Sequence, residues 1–166
     1  MLLLRKAYSM DKNIIELEST RSQIEMLASF SRELQDQQLR ALLLSILSEP
    51  DESAEPDDVN SEELQQAMAI LLASIKAGDD EVFGEIMAES RAIDKNDPLA
   101  VEYDDAMWAH RNAGMAERIA GLLNSETYDG DYFVVVGAGH MFGDDSIIYL
   151  LTDMGYDVIR WGVRGE

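Results

Sequence analysis

The stretch YFVVVGAGHMFGDDSIIYLLTDMGYDVIRW, residues 132–161, constrains the fold more tightly than any other part of the chain. An apolar, β-branched run, YFVVV, stops abruptly at a glycine-rich turn. DDSIIYLLTDMG then has helical patterning, with acids at its N-terminal end, where they suit the helix dipole, and Gly155 as a stop. YDVIRW closes the stretch as a second strand-like run. Strand, helix and strand in that order predict a βαβ unit with parallel strands. Nearer the start, NIIELES (Asn13 to Ser19) reads as a further short strand. The expectation is an α/β fold, with a small mixed or parallel sheet whose strands lie near 13–18, 132–136 and 156–161. A large helical middle segment, 20–128, separates the α/β parts at 1–19 and 130–166, and all 166 residues form one domain.

Within the middle, Ile24, Leu27, Leu34, Leu42 and Ile46 recur at helical spacing, and Thr20 with Gln23 fits a capping box. Glu49 to Glu63 holds eight acids and two prolines. It reads as a solvated loop with too little apolar surface to offset its ordering, mobile from Glu49 to Asn60. Leu64, Met68, Leu71, Leu72 and Ile75 form the stripe of the next helix, which Gly78 ends. A short helix follows around Val82 to Ser90. Asp97-Pro98 is a helix start, opening one long helix or two broken near Gly114.

The charge decides which partners are excluded. Thirty-three acids against 13 bases give a net charge of -20. Nucleic-acid phosphates and anionic membrane surfaces should repel such a chain, and no basic stripe offsets the repulsion. With no cysteine, disulfides, thiolate metal sites and a cysteine nucleophile are ruled out. The opening MLLLRKAYSMDK is too short in apolar residues for a signal peptide, so no export signal is expected from it. No serine lies in a G-x-S-x-G elbow.

The glycine turn has three readings. As a dinucleotide fingerprint it fails: Gly137, Gly139 and Gly143 are spaced one residue too long, and Arg160 stands where an acid is needed. Asp144 and Asp145 stand where a pyrophosphate needs a positive helix end. As structure, glycines end a strand and His140 donates to a nearby carbonyl. As function, His140 sits just past a strand's carboxyl end, where ligand sites gather in α/β sheets, and an imidazole there binds metal or moves protons. Its partner would be Glu18, at the carboxyl end of the first strand. A carboxylate and an imidazole on one sheet edge are the beginnings of a divalent-metal site. The last two readings both stand.

Other residues read more plainly. By spacing alone Arg111 is a surface arginine pairing with Asp104, Asp105 or Glu117. Glu16 faces solvent or a base. Asp144 and Asp145 are N-terminal helix acids, and Trp108 and Trp161 are core residues.

Several stretches together resemble the TraB/PrgY/GumN family, which is related to the Tiki metalloproteases. Glu16-Leu17-Glu18-Ser19 with Gln23 looks like the family's LE-[ST]-x-x-x-Q stretch, and Lys76-Ala77-Gly78-Asp79 like its W-x-x-G-D helix turn, with Ile75 leaving the usual Trp out of step. Arg111-Asn112 with Met115 resembles its R-N-x-x-M helix. Gly137-Ala138-Gly139-His140, then Gly143 and Leu150-Leu151, resembles its G-A-G-H-L-x-G…LL…GY-x-V ending, with Met141 where Leu is usual. The resemblance covers nearly the whole chain, and the ending is its most specific part.

It implies an α/β fold of the kind found in erythromycin esterase and the haem-binding ChaN proteins. It also implies two G-x-x-H motifs with a glutamate between them, tied in the Tiki branch to metal-dependent peptide cleavage. PrgY-type members are tied to shutdown of peptide pheromones. One G-x-x-H is present here, Gly137 to His140, so the chain resembles the larger C-terminal part of a family member. The site that the resemblance implies has His140 and Glu18 as ligands to a divalent metal, Glu18 alternatively as general base, Arg111 steadying an anionic intermediate, and Gly137 and Gly139 at the ligand.

Two functions follow. One is a metal-dependent hydrolase acting on peptides. The other is a non-catalytic regulatory protein that holds a peptide, small-molecule or haem-like ligand in the same cleft. The chain is also expected to pair as a homodimer, sharing the helix from Gln23 to Ser48, because an unpaired strand edge recruits partners.

Overall fold

The computed structural model describes residues 2–47, 61–77, 79–127 and 130–159. Eight α-helices run in chain order among them: α1 (Leu2–Ser9), α2 (Thr20–Ala28), α3 (Arg32–Leu47), α4 (Ser61–Ala77), α5 (Asp80–Ser90), α6 (Pro98–Asp104), α7 (His110–Leu123) and α8 (Ile147–Asp153). A π turn, Asp105–Ala109, joins α6 to α7, and a 3₁₀ turn, Ala138–Met141, precedes α8. The loop expected from Glu49 to Asn60, the Gly78 stop and the end of the last expected strand at 160–161 lie outside the described residues.

The expected sheet is corrected. Among the described residues there is no strand. Residues 13–18, 132–136 and 156–159 are irregular, and the chain is mostly helical rather than α/β. β-Branched content records a good fit to a pleated surface with neighbours on it; here the neighbours are helices. Met115, Ala116 and Ile119 of α7 pack with Ile147 and Leu151 of α8 into the buried core. Leu17, Val136, Tyr156 and Val158, one or two from each expected strand, lie against that core. Tyr156 and Val158 alternate with exposed Asp157 and Ile159. The period-2 pattern is therefore met by one-sided packing on two helices, with no ladder. Phe133, 83% exposed, meets nothing comparable on the other side.

The helix boundaries follow their caps. Asp97 caps α6 by accepting from Leu99 N–H, with Pro98 in the first turn. Ser146 caps α8 by accepting from Tyr149 N–H. Gly155 beyond it has φ +90, the left-handed geometry glycine adopts without strain. The box before α2 is Ser19 with Ser22 rather than Thr20 with Gln23. The helical pattern that follows is split at Ser29-Phe30-Ser31, where Gln35 donates to Phe30 C=O and Ser31 N–H donates to Glu102. Phe30 meets Tyr103 there with ring centroids 6.0 Å apart.

The helix does not break at Gly114. Continuous helix runs from Pro98 to Leu123, through the π turn. A Cβ on Gly114 would meet nothing within 4 Å. Gly114→Ala is therefore expected to stabilise the protein by about 0.5–1 kcal/mol through the unfolded chain's lost freedom. A raised thermal midpoint checks it, and a lowered one contradicts the open space at that position.

Candidate functional site

The 3₁₀ turn holds His140 inward. Its N–H donates to Gly137 C=O over 3.0 Å, and its side chain is buried, 9% exposed. Nδ1–H donates to Asn112 Oδ1 over 2.6 Å. This tautomer leaves the lone pair on Nε2. Asn112, on the first turns of α7, is fully buried, and its Nδ2 has no hydrogen-bond partner among the described residues. The Trp108 ring lies 5.1 Å from the imidazole. The Arg91 guanidinium lies over the Trp108 ring at 4.8 Å, a cation–π contact. Arg91 in turn makes a bidentate pair with Asp145, 2.9 Å to each oxygen, and a longer one with Asp104. A guanidinium, an indole, an imidazole and an amide thus run in series from α5 to α7.

A second ion pair lies beside this series. Arg111 Nε and Nη2 grip Glu18 Oε1 and Oε2 at 2.9 and 2.7 Å. This fork geometry is the strong form of the carboxylate–guanidinium pair. It holds the Glu18 carboxyl below its ordinary value, against the opposing effect of burial. Arg91 does the same to Asp145. For His140, burial first and the nearby Arg111 charge second push the pKa down, while Glu18 pulls it back. The imidazole is neutral at pH 7.

Glu18, Ser19, Ser22, Gln23 and Met26 form one wall of an open cleft of about 680 Å³. His110, Arg111, Gly114 and Arg118 on α7 form the other. Glu16 and Arg118 have no ion-pair partner among the described residues.

The structure thus brings Glu18, Arg111 and His140 into one neighbourhood, with Arg111 and Asn112 as consecutive links. Arg111 pairs with Glu18, 93 positions away, rather than with Asp104, Asp105 or Glu117. Asp145 pairs with Arg91 as well as standing ahead of α8. Gly139 serves packing: an added Cβ would lie 2.9 Å from Met87 Cε and 3.0 Å from two atoms of Trp108. Gly137 has ordinary room, 3.5 Å from the His140 ring. Sequence reasoning missed Arg91, which no local spacing connects to Asp145. It took Trp108 only as core and gave Asn112 no role; the Arg-Asn pair was the signal available for Asn112.

The donors do not by themselves make a metal centre. Both oxygens of Glu18 and both of Asp145 are held by guanidinium groups. His140 offers one nitrogen. Among the described residues no group of three or more His, Asp or Glu side chains is placed to hold an ion.

Two outcomes are expected. Gly139→Ala overpacks Met87 and Trp108 and should destabilise by about 1–3 kcal/mol, whereas Gly137→Ala should be close to neutral in denaturant titration. Because the folded pKa of His140 is depressed, the unfolded chain takes up the proton first as pH falls. Stability should drop as pH falls below the ordinary value of 6.5, before the carboxylates begin to protonate. Glu18 and Asp145, also depressed, give stability that is lost at lower pH still. In thermal melts at a series of pH values, His140→Gln should remove the upper of the two acid phases; an unchanged upper phase would refute the assignment.

The sequence profile of the TraB/PrgY/gumN family matches residues 1–160. Among curated proteins the chain is 46% identical over 48 residues to a metalloprotease TIKI homolog from Nematostella vectensis, a stretch that takes in 29% of this chain and 10% of that protein. No solved structure matches significantly. With a family match over nearly its entire length, the chain belongs to the TraB/PrgY/gumN family.

Proposed function

We propose that this chain binds peptide in the cleft between the α2 segment and α7. The observation that carries the reading is the cleft's lining. Met26 and Leu17 offer apolar contact, Gln23, which also bonds Glu18, offers the rest of its amide, and the charges Glu16 and Arg118 stand uncompensated on its walls. An extended peptide with a free amine and a free carboxylate has the matching chemistry: apolar side chains between two opposite charges. The Arg111–Glu18 pair spends its charge internally and fixes the shape of the cleft instead of meeting the ligand's charge. On this reading the described residues bind and do not cleave.

A second reading, a metal-dependent peptidase, is favoured by the similarity to the metalloprotease TIKI homolog. To such a centre this part of the chain would bring His140 Nε2, oriented by Asn112. Glu18 would act by holding Arg111, and further donors would be needed.

Tetra-alanine distinguishes the two. In amide chemical-shift titrations it should perturb Gln23, Met26 and Gly114. Arg118→Ala, or blocking both peptide termini, should weaken binding about 5- to 10-fold, as expected for one charge-assisted contact. Absence of shifts at millimolar peptide would rule the binding reading out. Mass spectrometry of the same mixture with added Zn²⁺ or Mn²⁺ tests the second reading: products that vanish in His140→Ala support it, and intact peptide opposes it.

A further inference from the structure

Only eight apolar residues are buried among those described, against 28 large apolar residues that are exposed. Six of these 28 lie on α3. Its sole buried residue is Leu34. Leu39, Leu42, Leu43, Leu44, Ile46 and Leu47 are 45–72% exposed. The run Ala41 to Leu47, ALLLSIL, carries no charge in a chain with a net charge of -20. Arg40, just before it, is already paired with Asp36 at 2.8 Å. A helix that is apolar on every side has no face suited to water.

We propose that the C-terminal half of α3 docks on the same half of α3 in a second copy, antiparallel about a two-fold axis near Leu43. Three observations favour a second copy. The six side chains, 45–72% exposed, are apolar surface of the kind that forms the core of a stable interface. Pairing the run with itself sets no charge against a like charge at the centre of the contact, so two chains of this acidity meet there without local repulsion. Leu39, Leu42 or Leu43, and Ile46 follow the 3–4 spacing with which two helices interlock. This differs from a dimer made through a strand edge, since no strand edge is present among the described residues. The long-range repulsion is weakened by salt, so the dimer tightens as salt rises.

The absence of cysteine makes the test direct. Single substitutions Leu39→Cys, Leu43→Cys and Leu47→Cys place thiols at the ends and centre of the contact. Under mild oxidation Leu43→Cys should cross-link to itself, and a mixture of Leu39→Cys with Leu47→Cys should give mainly the mixed dimer. Predominant Leu39-to-Leu39 linkage would overturn the antiparallel arrangement. In sedimentation at micromolar concentration, wild type should be dimeric, and more so at high salt. The double variant Leu43→Lys, Ile46→Lys should weaken the dimer by about 100-fold or more, although it lowers the net charge that opposes association, and its helical circular dichroism should persist. A wild type that stays monomeric at both salts, or a lysine variant that dimerises equally well, overturns the proposal.

Discussion

The buried seam between α7 and α8 carries the rest of the structure. Met115, Ala116 and Ile119 meet Ile147 and Leu151 with almost no exposed surface. Every irregular segment that reaches this region rests on that seam through one or two side chains. The same helix α7 presents its other faces to the site: Arg111 turns to Glu18, and Asn112 turns to the His140 turn that leads into α8. One helix pair therefore sets the distance between the cleft and the imidazole. Loss of the seam would loosen both, because Arg111 and Asn112 stand on the helix that forms it.

The arginines decide the electrostatic character of the site. In a chain with 33 acids, a neutral imidazole surrounded by carboxylates would be driven toward its charged form. Arg91 and Arg111 each occupy a carboxylate next to His140. Glu18 and Asp145 still pull the ring toward its charged form, but the Arg111 charge outweighs Glu18 and burial prevails. The acidity of the surface and the neutrality of the histidine are compatible for that reason.

The helices were largely legible because their signals are local. Asp97-Pro98 and Gly155 act within a few residues, and the structure follows them; the stripe from Ile24 to Ile46 is split between α2 and α3 and mostly exposed, and helix α1 was not read at all. The strands were not legible as written: alternation at Tyr156 to Ile159 reports that one side faces a core, and it is silent on whether that core is a sheet or a helix pair. Among site residues, Glu18, Arg111 and His140 stood out through motif likeness. Their partnerships did not, since the Arg111–Glu18 contact spans 93 positions and Arg91–Asp145 spans 54. Gly139 was read as a ligand contact because the sequence cannot show that Met87 and Trp108 have already filled the space.

The π turn at Asp105–Ala109 separates the two contacts made to the imidazole. Trp108 lies within it and Asn112 lies beyond it. A π turn holds one residue more than the α-helix it interrupts. Deleting a single residue there would restore regular helix and rotate everything before it by about 100° relative to α7. The indole and its Arg91 would swing away from His140 while the amide and the core seam stayed in place. A one-codon change can thus alter what covers the ring without touching what orients it, and relatives that differ in length at this turn are where such re-phasing would be recorded.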